Sequence, residues 1–165
     1  MRGKLSLLLL VLMLIGMLSG CALSLPRPEI KDGEFDFCVT YELCGEVKTI
    51  SGVYVCEYDG ITWSLEGGYH RAWKGYIKEG TIEEQIKLAT SDDGGVVELN
   101  LYFDPNHFMG DSYRQGDEPF VPQMSVRIED DNGLTFECNA DLIAENYGAR
   151  VISYECDDPI DNTFQ

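Results

Sequence analysis

Glu34-Phe35-Asp36-Phe37-Cys38-Val39-Thr40-Tyr41-Glu42-Leu43-Cys44 alternates apolar and polar residues along its whole length. Phe35, Phe37, Val39, Tyr41 and Leu43 fall on one side; Asp36, Cys38, Thr40 and Glu42 fall on the other. A period of two over eleven residues is the signature of a half-buried strand, and it decides the fold class. After Cys44-Gly45, Glu46 to Tyr58 is rich in Val, Tyr, Thr and Ile, which predicts a hairpin. A loop of even length pairs odd residues of the first strand with even residues of the second. Phe35, Val39 and Tyr41 then share a face with Ile50, Tyr54 and Tyr58.

The same pattern continues outward. Asp59-Gly60 reads as a turn, Ile61 to Leu65 as a short strand, Glu66-Gly67-Gly68 as a turn and Tyr69 to Lys78 as a strand. Thr81 to Thr90 suits a helix or a strand. Its short length and the turn-rich Ser91 to Gly95 after it favour a strand and hairpin into Val96 to Phe103. Asp104 to Pro122 reads as a long polar loop. Asn132-Gly133 joins Gln123–Glu129 to Leu134–Cys138 as a further hairpin. Asn139 is suited to cap a short helix over Ala140 to Tyr147, stopped by Gly148, before a last strand at Arg150 to Glu155. The expected fold is all-β: an antiparallel β-sandwich or small barrel of eight or nine strands with one short helix.

The chain has 165 residues with 12 Lys and Arg against 29 Asp and Glu, a net charge of −17. That balance excludes a nucleic-acid partner, which needs a basic footprint for phosphate. Hydrophobic residues at 44% suffice for one packed domain.

The first twenty residues read differently. Arg2 and Lys4 precede an apolar run from Leu5 to Met17, broken only by Ser6 and Gly16, and then come Leu18-Ser19-Gly20-Cys21. This reads as a secretory signal, and its end resembles the lipobox of bacterial lipoproteins. The resemblance implies that Cys21 receives a diacylglyceryl group and becomes the N-terminal residue after cleavage. It places the domain on the extracytoplasmic side of the cell membrane, with the membrane as partner through the lipid. An uncleaved helix over Leu5 to Leu25 is the alternative, but no Lys or Arg cluster follows to stop transfer. The expected organisation is a signal peptide at 1–20, a lipidated N-terminus and tether at 21–33, and a single β-rich domain at 34–165. Without Arg2 and Lys4, 10 basic residues face 29 acidic ones, a balance of −19. Val39-Thr40-Tyr41-Glu42 with Gly45, Ser51-Gly52-Val53-Tyr54-Val55, and Val151-Ile152-Ser153-Tyr154 with Pro159-Ile160 make the mature chain similar to small lipoproteins of Gram-positive anaerobes. That resemblance implies no activity.

Cysteines stand at 21, 38, 44, 56, 138 and 156. With Cys21 lipidated an odd number remains. The hairpin register turns Cys38 and Cys56 to opposite faces, and Cys44 sits at a turn. Cys138 and Cys156 flank the helix and are the candidate disulfide; the alternative is a set of reduced core thiols. The sequence contains no Cys-x-x-Cys pair, no zinc spacing, no His-Glu-x-x-His, no Gly-x-Ser-x-Gly and no phosphate loop, so no catalytic residue, metal or cofactor is expected. The acids Asp104, Asp111, Asp117 and Glu118 supply hard oxygens but lack EF-hand spacing. Trp63, Tyr69, Trp73 and Tyr76 form either a platform for a protein or glycan ligand or part of the core. Trp73 and Tyr69 share strand parity, and Tyr76 joins them only if Gly75 is a bulge. The reading is a non-catalytic binding or interaction module at the cell envelope. The alternatives are a carbohydrate-active or other hydrolytic enzyme, marked by two carboxylates across a cleft, and an envelope structural subunit, marked by an open sheet edge.

Overall fold

The computed structural model describes residues 25–65, 68–78, 83–91, 94–111, 118–130 and 133–165. The signal segment and Cys21 lie outside them. Eight strands form two antiparallel four-stranded sheets, a β-sandwich. The first sheet has the order β3-β2-β1-β8, from β1 (Asp32–Leu43), β2 (Glu46–Ser64), β3 (Gly68–Ile77) and β8 (Ala149–Cys156). The second has the order β4-β5-β6-β7, from β4 (Gln85–Thr90), β5 (Val96–Phe103), β6 (Phe120–Asp130) and β7 (Gly133–Glu137).

The founding hairpin has the anticipated register. Phe35 lies opposite Tyr54 and Val39 opposite Ile50. The turn takes positive φ at both central residues, 52° at Cys44 and 83° at Gly45, the mirror-image turn whose twist matches the strands. Phe35, Phe37, Val39, Tyr41 and Leu43 are all buried. Across the sandwich they meet Val97, Leu99, Leu101, Phe120, Met124 and Val126. Aromatic rings fill the centre. Tyr54 stacks on Phe103 at 4.1 Å, and Phe103 stacks on Phe120 at 4.5 Å.

Three local expectations are corrected. Asp59-Gly60 is not a turn: β2 runs through it, with an irregular register between Tyr58 and Gly60 and Gly60 at φ 96°. The extra residue is absorbed as a bulge, which mimics a turn in sequence because both favour Asp and Gly. Gly75 is regular and pairs with Cys56. The loop after β5 contains a one-turn helix, α1 (Pro105–Phe108), with Asp104 accepting from the Asn106 amide. Phe108 and Met109 there are fully buried. Pro122 is part of β6, at a stretch where β7, which begins its pairing at Val126, does not reach; a missing N–H costs little there.

The second helix, α2 (Ala140–Tyr147), is as read. Asn139 accepts from the Asp141 and Leu142 amides, and Gly148 ends the helix in the left-handed region. Ile143 plugs the core. The Cys44 amide donates to the Gly148 carbonyl at 2.9 Å, so α2 closes the end of the sandwich where β1 stops. Near the start of β1, Phe108 of α1 packs on Phe35 at 4.5 Å and closes the opposite end.

The tether is shorter than read. Residues 27–29 pair with residues 163–165 through backbone bonds of 2.7–2.9 Å, and Pro28 bridges Phe164. Asn162 ties this pair down. Its side chain accepts from the Ile30 amide and donates to the carbonyls of Ile30 and Met109. Residues 25–33 therefore belong to the domain.

Candidate functional site

The four aromatics of the anticipated platform are separated by the fold. Trp73 faces the core at 9% exposure, edge-on to Tyr58 at 5.3 Å. Its indole N–H donates to Asp111 at 2.9 Å. Asp111 also holds the Arg71 guanidinium through both carboxylate oxygens, one contact at 2.8 Å. Arg71 donates further to the Pro26 carbonyl at 3.2 Å and lies over the Phe164 ring at 4.0 Å. Both charged side chains are nearly buried. Bidentate geometry and full hydrogen bonding offset their desolvation, and removing one partner would strand the other. This clamp joins β3, the segment after α1, and both ends of the described chain.

Trp63 and Tyr69 behave differently. They are direct register partners and are 57% and 63% exposed. β1 begins at Asp32, opposite Glu57. Beyond it, Gly60–Ser64 and Gly68–Ala72 pair only with each other and project from the sheet. Ile61, Trp63, Tyr69 and Arg71 continue the core-facing parity of this hairpin, but no described residue of the second sheet covers its far end. Tyr76 lies on the outer side, donating to Glu57 at 2.8 Å.

The acids of the long loop have separate duties. Asp104 caps α1, Asp111 holds the clamp, and Glu118 accepts from the Tyr154 hydroxyl. Asp117 lies outside the described residues. No cluster of three or more His, Cys, Asp or Glu suited to a metal occurs among the described residues. The two histidines also stand apart. Nδ1 of His70 is 3.1 Å from the Gly68 carbonyl, while Nδ1 of His107 is buried without a hydrogen-bond partner among the described residues.

Cys138 and Cys156 are both free, as are Cys38, Cys44 and Cys56. The helix they flank does not bring them onto one sheet. Cys138 follows β7 of the second sheet, whereas Cys156 ends β8 of the first. Burial pushes the Cys56 thiol up to about 12. Burial and the nearby acids Asp157, Asp158 and Glu118 raise Cys156 as well.

One surface escaped the sequence reading. On the side of the second sheet away from the core, Glu98, Asn100 and Ser125 are buried beneath their neighbours. Gln85 donates to Glu98 at 2.9 Å and to Asn100 at 3.2 Å. Arg127 donates to Glu98 at 3.1 Å, and Asn100 donates to Ser125 at 2.7 Å. Exposed apolar side chains stand at both ends of this polar ladder: Tyr102 opposite Val121, and Phe136 beside Arg127 with Leu134 on the same strand. The available signal was polar residues at alternate positions of strands otherwise rich in Val and Leu. The two buried carboxylates among the described residues thus lie apart, Glu98 on the outer side of the second sheet and Asp111 against the core-facing side of β3, each held by its own arginine.

Comparison with known proteins adds no relationship: no family model, no curated protein and no solved structure matches the chain.

Proposed function

We propose that the chain is a lipid-anchored protein of the extracytoplasmic membrane face whose β-sandwich is a non-catalytic binding module for a protein or glycan of the cell envelope. The anchor half of this reading rests on Leu18-Ser19-Gly20-Cys21 behind an uncharged apolar run. Two acyl chains hold a protein stably where one does not, since each buried methylene contributes about 0.8 kcal/mol.

The observation that carries the binding half is the outer face of the second sheet. Its buried hydrogen-bonding groups hold one another, Gln85 and Arg127 in place, so the face presents a ligand with a surface that is already ordered. Tyr102 and Phe136 stand exposed at either end of that ladder, where aromatic surface contributes most to recognition. Against the hydrolytic alternative, the two buried carboxylates among the described residues, Glu98 and Asp111, are each held by an arginine.

Two experiments test the two halves. Metabolic labelling with an alkyne fatty acid should mark the chain and leave Cys21→Ala unmarked; label on Cys21→Ala would end the anchor reading. Co-sedimentation with purified envelope polysaccharide should retain the protein without releasing soluble fragments. Tyr102→Ala and Phe136→Ala should each weaken retention about tenfold with an unchanged melting temperature. Fragment release would establish the hydrolytic alternative instead.

A further inference from the structure

We infer that the projecting tip of the β2–β3 hairpin, with Trp63 and Tyr69 at its centre, rests in the interface of the lipid leaflet that holds the anchor. This rests on the anchor reading of Cys21 given above.

The tip is apolar on one side and uncovered. Ile61, Trp63, Leu65 and Tyr69 are 40%, 57%, 91% and 63% exposed. A contiguous apolar patch on an otherwise highly charged domain marks a contact surface. Trp and Tyr favour the headgroup level of a bilayer, because their rings are apolar while their N–H and O–H groups keep water or headgroup partners.

The path of the chain determines which surface that is. The described residues begin at Leu25, and the Pro26 carbonyl is bound by Arg71. Arg71 lies opposite Ile61 and immediately before Ala72–Trp73 at the hairpin's root, with Tyr69 two residues further out on the same side. The anchor line thus leaves the domain at the base of the projecting hairpin. From Cys21 to Pro26 the chain spans about 17 Å at most. From Arg71 to the end of β3 at Gly68 the hairpin extends about 10 Å. A lipidated Cys21 therefore keeps the Arg71 guanidinium, at the hairpin root, within about 17 Å of the leaflet, and the strands reach about 10 Å further out from there.

Charge agrees. Without its signal the chain carries −19, which would repel an anionic bilayer over most of its surface. Gly60–His70 holds one charged residue, Glu66, while Arg71 is neutralised by Asp111 and Lys78 by Glu34. The tip is thus a nearly uncharged stretch in an acidic protein, the part of the surface least repelled by headgroups. Insertion of two aromatics is too weak to hold the domain alone; coupled to the anchor it becomes intramolecular and fixes orientation. The ladder on the second sheet then lies on a lateral face, and the end closed by α2 points away from the membrane.

The test uses the full chain purified with its anchor and reconstituted in phosphatidylcholine vesicles whose acyl chains carry bromine close to the headgroup. The mass of the N-terminal peptide reports Cys21, and tryptophan emission reports the hairpin. The chain has two tryptophans, and Trp73 is shielded by protein. Bromine should therefore remove about half of the emission, and in Trp63→Phe, anchored equally well, it should remove almost none. A lipidated Cys21 with Trp63 untouched by bromolipid overturns the inference and leaves the anchor standing. So does a Trp63 quenched by soluble acrylamide alone, the behaviour of a tip reserved for a protein or glycan. An unmodified Cys21 overturns both.

Discussion

Gly75 sits under the Tyr54 hydroxyl: a Cβ there would lie 1.7 Å from Tyr54 Oη and 2.5 Å from Cζ. Tyr54 cannot yield, because it stacks on Phe103 and approaches Phe108 at 5.6 Å. Gly75→Ala should therefore destabilise the domain by about 2–3 kcal/mol in urea titration, the cost of overpacking a filled core. Tyr54→Phe in the same chain should recover part of that loss. The thiols give a second test at this scale. Exposed Cys44 and Cys138 should react with a thiol reagent in the native protein, and buried Cys56 only on unfolding. Cys56 is raised from an ordinary value of 9.0 to about 12. Below pH 9 the thiol is protonated in both states and its contribution is complete. Between pH 9 and 12 the unfolded chain ionises first, so stability falls as pH rises. The urea midpoint should drop between about pH 8 and about pH 10.5, and drop less in Cys56→Ala. Tyr54, raised by the same burial, acts in the same direction at higher pH.

At the scale of elements, α2 and the β1–β2 turn share one end of the sandwich and respond oppositely to substitution. Asn139→Ala removes an acceptor for two amides and should cost about 1 kcal/mol, read as a lower melting temperature. Cys44 holds a φ of 52° that cysteine tolerates poorly. Cys44→Asn, giving the preferred pair for this turn, should stabilise by about 0.5 kcal/mol. Both elements were legible in the sequence because the forces that set them are local: a capping side chain, a left-handed glycine, a two-residue turn between alternating strands. The bulge at Asp59-Gly60 and the helix α1 were not. A bulge and a turn draw on the same residues, and only the partner strand distinguishes them. α1 has four residues and one buried side chain, too few for a period to appear. Its burial comes from Phe35 and from residues 160–162, more than fifty positions away in the chain; the Ile160 amide, for one, donates to the Phe108 carbonyl at 2.8 Å.

For the whole molecule, the excess of acid is the dominant long-range force. Self-repulsion of a domain at −19 should make salt stabilising, with the melting temperature rising by a few degrees from low salt to about 0.5 M NaCl. A fall would show that pairs such as Arg71–Asp111 outweigh the net field. The alternating strands, the founding hairpin with its register, the capped helix and the all-β class were determined by sequence alone, since strand parity and turn chemistry act between residues close in the chain. Tertiary structure alone decided which aromatics are core and which are surface. Trp63 and Trp73 belong to one apolar segment with similar local surroundings. One is covered because the core and Asp111 reach it, and the other is bare because the hairpin projects past the start of β1 and no described residue of the second sheet lies over it. Burial is a property of what arrives from elsewhere in the chain, and no local pattern carries that information.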